Sequence, residues 1–209
     1  AVRFILAKPS LTEYSGNLRG EIGITEGGDW SWEAGGAVGG PIVNDKIGFR
    51  ASAYYRRDGG YIDRVPFIAN RGSRERNSNS GETLVGNFSL TFAPTDNLKI
   101  TPSVFYQKVD RDDASTYWTW RADSPRQPLP EFTNADGVPS WGTDKSALYS
   151  LKTELDLGSV SLISNSAITD RTTRSRDDST QYLIDVFQGS LGPTWNFLFG
   201  GLGFGKIGR

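Results

Sequence analysis

Between residues 14 and 172 the chain repeats one pattern: apolar and polar side chains alternate with a period of two, and each run ends in a turn. That period puts successive side chains on opposite faces of a β-strand, so each run has an apolar face and a polar face. In the first run Tyr14, Leu18, Ile22 and Ile24 alternate with Ser15, Asn17, Arg19 and Glu21. Six further runs follow, at about 30–42, 47–55, 83–92, 98–107, 147–157 and 160–172, the last with the weakest alternation. Glycines weaken the second run, and Pro102 in the fifth predicts a bulge or a local edge. Beyond Arg176 the period is lost.

The connections alternate too. Glu26-Gly27-Gly28-Asp29, Asn44-Asp45-Lys46, Pro94-Thr95-Asp96-Asn97 and Leu157-Gly158-Ser159 are tight, turn-forming sequences. Residues 58–80 and 110–144 are long, polar connections. In an up-and-down meander, alternate connections lie at the same end, so one end carries tight turns and the other long loops. Outer-membrane barrels have that asymmetry. Greek-key sandwiches mix connection lengths instead. The expected fold is all-β, an antiparallel up-and-down segment of a transmembrane β-barrel.

Composition narrows the chemistry. The 209 residues include no Cys and no His, which removes disulfides, thiolate metal sites and His-based triads. No nucleophile–base pair stands out, so no enzyme is expected. A net charge of −1 argues against a nucleic-acid partner. No run of 18 apolar residues marks a membrane helix. A mean hydropathy of −0.44 suits either a barrel or a soluble protein, since barrel strands are apolar only at alternate positions. The chain starts at Ala1 and has no Met, which reads as a processed or internal piece.

"AVRFILAKPSLTEYSGNLRGEIG", followed by "WEAGGAVGGPIVNDKIGFRASAYYRRDGGYIDRV", resembles the TonB-dependent receptors of Gram-negative outer membranes. In that family a form like RFxxxxPS closes the N-terminal plug and leads into the first barrel strand. The resemblance spans residues 1–65 and extends through strand and loop layout to about 176. It implies residues 1–12 as the end of the plug, 13–176 as about seven strands of a larger plugged barrel of about 22, and 177–209 as a loop or tail. It also implies uptake of a scarce nutrient such as a ferric siderophore, cobalamin or an oligosaccharide. The implied partners are outer-membrane lipid, lipopolysaccharide and the TonB energy-coupling complex, with no cofactor. A passive porin and a soluble all-β carbohydrate-binding module are the alternatives.

On this reading Arg19, Glu21, Arg50, Asn87, Lys99, Lys152 and Glu154 line the lumen. Leu18, Ile22, Phe49, Phe88, Leu90, Val104, Tyr149 and Leu151 meet lipid. Two arginine groups, Arg71, Arg74 and Arg76 with Arg171, Arg174 and Arg176, are candidates for a cationic mouth, because guanidinium binds carboxylates bidentately. Their plainer role is solvated loop charge or contact with lipopolysaccharide phosphate. Tyr117, Trp118, Trp120 and Arg121 are candidates for sugar or aryl binding, or for an interfacial aromatic girdle. Asp110, Asp112 and Asp113, like Asp177 and Asp178, lack the spacing of a calcium loop and read as solvating charge. The glycine-rich stretch at 200–205 lacks the Lys-Ser/Thr of a phosphate loop.

Overall fold

The structure, a computed structural model, describes residues 7–65, 74–121, 127–179 and 183. Its strands are β1 (Ser15–Ile24), β2 (Trp30–Val43), β3 (Ile47–Asp58), β4 (Asp63–Arg64), β5 (Gly81–Thr95), β6 (Leu98–Arg111), β7 (Trp120–Arg121), β8 (Gln127–Pro128), β9 (Thr133–Asn134), β10 (Trp141–Asp156) and β11 (Ser161–Arg176). Seven of them form one sheet in the order β1-β2-β3-β5-β6-β10-β11. Every neighbouring pair is antiparallel, so the sheet is an up-and-down meander. β1 and β11 are its edges and run in the same direction.

Local chemistry makes the tight turns. Gly27 takes φ 73° and Gly158 takes φ 84°, a region open to glycine without steric cost. Asp45 reaches φ 59°, which aspartate tolerates, and the turn closes through Lys46 N donating to Val43 O at 3.0 Å. The register shifts at Pro41/Val43 and at Phe92/Thr95, both near the tight-turn end. Pro102 makes no bulge. It lies opposite Leu151, while on its other side the ladder steps from Ser89–Ser103 to Phe92–Ile100 without a shift. The missing N–H interrupts pairing there and leaves the register intact.

Several strands outrun the expected limits. β10 begins at Trp141 rather than near residue 147, and β11 continues to Arg176 rather than 172. The long connections shorten accordingly, to 59–80 and 112–140. Apart from Trp141 the added segments of β10 and β11 are polar on both faces, so they carry no alternation; backbone pairing such as Thr143–Asp110 and Asp144–Thr173 extends them.

The register brings the seven apolar faces together. Val38, Ala51, Phe88, Val104, Tyr149 and Ile168 are level with one another, strand by strand, and Gly16 is level with Val38. Among the described residues no second layer covers this face. Leu18 is 93% exposed, Ile22 and Ile168 73% each, and Phe88 43%. The largest fully buried side chains among the described residues, Ile62 and Asn134, lie in the long connections instead.

The apolar band runs obliquely. It reaches Ile24 in β1, but in β11 it stops at Ile168, level with Gly16. Its upper limit thus falls by about eight residues, roughly 27 Å, over six strand spacings of about 4.8 Å, a slope of about 40°. Trp30, Trp32, Tyr55, Tyr106 and Tyr149 lie along that limit, with the Trp32 and Tyr55 rings 5.1 Å apart. Beyond it, on the same face, come Arg57, Glu82, Lys108, Lys145, Asp170 and Arg174.

The opposite face is polar. It holds Arg19, Glu21, Arg50, Asn87, Lys99, Lys152 and Glu154. Residues 7–12 lie against it at the tight-turn end. Lys8 Nζ stands 3.4 Å from Glu154, and Asp45 N donates to Leu11 O at 3.0 Å. A Cβ on Gly48 would meet Ser10 O at 2.2 Å, so only glycine permits this approach.

Candidate functional site

The two long connections leave the same end of the sheet and interlock. β4 pairs in parallel with β9, joining Asp63 to Thr133 and Arg64 to Asn134. Arg64, 6% exposed, is the centre of the knot: its Nε donates to Asp113 Oδ2 at 2.8 Å and its Nη2 pairs with Glu75. Asp113 also accepts from Ser140 N at 2.6 Å. Asn79 Oδ1 accepts from Tyr61 N at 2.7 Å and Ile62 N at 2.8 Å, and its amide donates to Ser115 at 3.2 Å. Trp118 N donates to Thr133 O at 3.0 Å. The backbone polar groups of this buried segment are therefore satisfied between the two connections.

Two carboxyls in the knot are shifted in opposite directions. Burial pushes Asp136 up to about 6, with help from the charges of Asp178 and Asp113, against the stabilising influence of the neighbouring Asn134 and Trp118 side chains. Its Oδ1 accepts no hydrogen bond among the described residues. Asp63 is lowered: burial opposes its ionisation but is outweighed by the Arg74 hydrogen bond, the Asn77 N–H, and the charges of Arg74 and Arg76. Phe132 takes φ 56°, an unusual conformation for an aromatic residue, held by Asp63 N donating to Phe132 O at 2.9 Å.

Among the described residues, the arginines expected at a cationic mouth are spread over several places. Arg74 Nε donates to Asp63 at 2.9 Å, and Arg76 is exposed beside it. Arg71 lies outside the described residues, as does the side chain of Arg121. Arg171 is on the polar face and pairs with Asp144. Arg174 is on the other face, and Arg176 Nε donates to Pro139 O at 2.8 Å. Tyr117 packs edge-on to Phe132 with centroids 5.3 Å apart, and Trp118 stands beside Asp136 within the knot. Trp120, 39% exposed, sits in the small β7–β8 hairpin. These aromatics belong to the connections; the aromatics that follow the edge of the apolar band are on the strands.

Asp113 is not a solvating charge, as its spacing suggested. It is 5% exposed and neutralises buried Arg64, a pairing between residues 49 apart that no local pattern signals. Asp178 likewise binds the backbone, accepting from Gly137 N at 2.7 Å and Val138 N at 3.1 Å.

Beneath the knot, on the polar side, lies a cavity of about 1020 Å³. Thr83, Gln107 and Arg111 contribute from the sheet, and Tyr61, Asn79 and Ser115 from the connections. At the tight-turn end a smaller cavity, about 670 Å³, separates residues 8–12 from Thr91, Lys99, Thr101 and Glu154. Among the described residues no cluster of acidic side chains is arranged to hold a metal ion. No family model, curated protein or solved structure matches the chain.

Proposed function

We propose that the chain forms part of the wall of an outer-membrane β-barrel, and that the protein carrying it is a TonB-dependent transporter for a scarce nutrient. The observation that carries this reading is the uncovered apolar face, continuous across seven strands in register. A soluble sheet of this size would bury that face against a second layer. Lipid gives it a partner without one. The slope of the band supports the same reading, because barrel strands tilt by about 35–45° and a band parallel to the membrane must cross them obliquely. Trp and Tyr along its edge, with charge beyond, fit the headgroup level.

Closure needs more strands. β1 and β11 run in parallel, so antiparallel closure takes an odd number of strands between them. An unpaired edge in hydrocarbon costs several kcal/mol per unsatisfied group. Residues 7–12, lying on the polar face, fit the end of a plug held inside the lumen. The interlocked connections fit an extracellular cap.

Single cysteines test the orientation, and the chain has none of its own. In Gram-negative cells expressing the protein, an impermeant maleimide should label Arg74→Cys and Trp120→Cys from outside, but not Asn44→Cys or Asp96→Cys. Labelling of both sets, or of the turns alone, would reject the proposal.

A further inference from the structure

We infer, resting on the membrane reading, that the outward face of β6, β10 and β11 just beyond the apolar band binds the phosphate of an acylated, phosphorylated glycolipid. The register sets up the charge. Beyond the band these three strands carry four cations on that face, Lys108, Lys145, Arg174 and Arg176, against two carboxylates, Asp110 and Asp170. Lys108 and Lys145 are directly opposite each other, which destabilises the pair unless an anion stands between them. Asp110 is already committed: its Oδ2 lies 2.5 Å from Lys108 Nζ, and its Oδ1 accepts from Thr143 Oγ1 at 2.8 Å. Arg176 is turned to Pro139 O at 2.8 Å. Lys145 and Arg174 are exposed and form no hydrogen bond or ion pair among the described residues. Asp170, level with Ala147 and so one row nearer the band, pairs with neither.

The surroundings match a phosphate at headgroup level. Arg174 stands one strand over and two residues along from Lys145, a diagonal of about 7–8 Å that two long side chains span easily. Thr172, level with Lys145, adds a hydroxyl donor. Ammonium and guanidinium together give a phosphate charge-assisted hydrogen bonds. Tyr106 and Tyr149, 38% and 55% exposed, lie just below at the limit of the apolar band. Acyl chains of the same molecule would run down from there over the apolar face. A zwitterionic phospholipid brings a cation of its own, which Lys108 and Lys145 repel. A phosphomonoester on a sugar carries nearly two negative charges and no cation. The patch lies at the end that bears the long connections, which the membrane reading places outside the cell.

Native mass spectrometry of the full protein in detergent, titrated with diphosphoryl lipid A, reads the affinity. The expected result is saturable retention of the glycolipid, weakened about tenfold or more by Lys145→Gln/Arg174→Gln, which removes two charge-assisted contacts. The pair Lys99→Gln/Lys152→Gln makes the same charge change on the polar face and should leave the affinity within about twofold. Equal weakening by the two pairs, or no glycolipid retained by the parent protein, would each overturn the inference. So would dephosphorylated lipid A or phosphatidylglycerol bound as tightly as the diphosphoryl form. The membrane reading fails separately, if the protein is missing from the outer-membrane fraction.

Discussion

Replacing Phe88 by arginine probes the apolar face at its middle. In β5 the face reads Leu84, Gly86, Phe88, Leu90 and Phe92, so Phe88 is the central residue of the band. It is level with Ala51 on one side and Val104 on the other, and is 43% exposed. Among the described residues no protein layer stands in front of it to supply a counter-charge. On the proposed membrane reading an arginine there would lie near the bilayer midplane, and the expected cost is about 2–4 kcal/mol, a factor of roughly 30 to 1,000 in the folding equilibrium. The companion variant Asn87→Arg, one residue away on the polar face, puts the same charge toward water and costs under about 1 kcal/mol. The assay is reversible urea unfolding in lipid vesicles, followed by tryptophan fluorescence. Equal costs for the two variants, or a Phe88→Arg cost below about 0.5 kcal/mol, would refute the claim that this face meets lipid.

Gly48→Ala places a Cβ 2.2 Å from Ser10 O, so residues 7–12 should leave the polar face, at about 1–3 kcal/mol, with Lys8 becoming more reactive to amine reagents. Arg64→Ala strands the buried Asp113 carboxylate at a cost of about 3–5 kcal/mol; hydrogen exchange should accelerate in residues 61–65 and 133–140 while the sheet stays protected. Asp136 has a folded-state pKa raised from 3.8 to about 6, so its favourable contribution is complete below pH 3.8 and is lost as pH rises through about 6. Protection of the knot at Trp118 should therefore weaken across that window, and Asp136→Asn should flatten the dependence.

The strands and their two faces were legible because a period of two needs only neighbouring residues. The whole set from Leu18 to Leu151 expected on the apolar side does share one face. Strand ends were less legible. Residues 142–146 pair with β6 above the apolar band, where both faces are polar and alternation carries no signal. The knot was illegible for a different reason: Arg64 and Asp113 meet only because β4 and β9 pair across a long separation. The aromatic row along the band gave no local signal. Tyr117, Trp118 and Trp120 are close in sequence, whereas Trp32, Tyr55, Tyr106 and Tyr149 are scattered and align only through the register. Arg71 and almost all of residues 177–209 fall outside the described residues or at their margin.

The most direct measurement of the membrane claim is a cysteine scan of residues 83–92 with a nitroxide label, in lipid vesicles. Accessibility to oxygen, which concentrates in the bilayer, is compared with accessibility to a water-soluble nickel chelate at each position. A strand with one face to lipid gives a period of two, with oxygen favoured at Leu84, Gly86, Phe88, Leu90 and Phe92, and the nickel chelate favoured at Thr83, Val85, Asn87, Ser89 and Thr91. Nickel accessibility at Phe88 and Leu90, or the same ratio at every position, would contradict it.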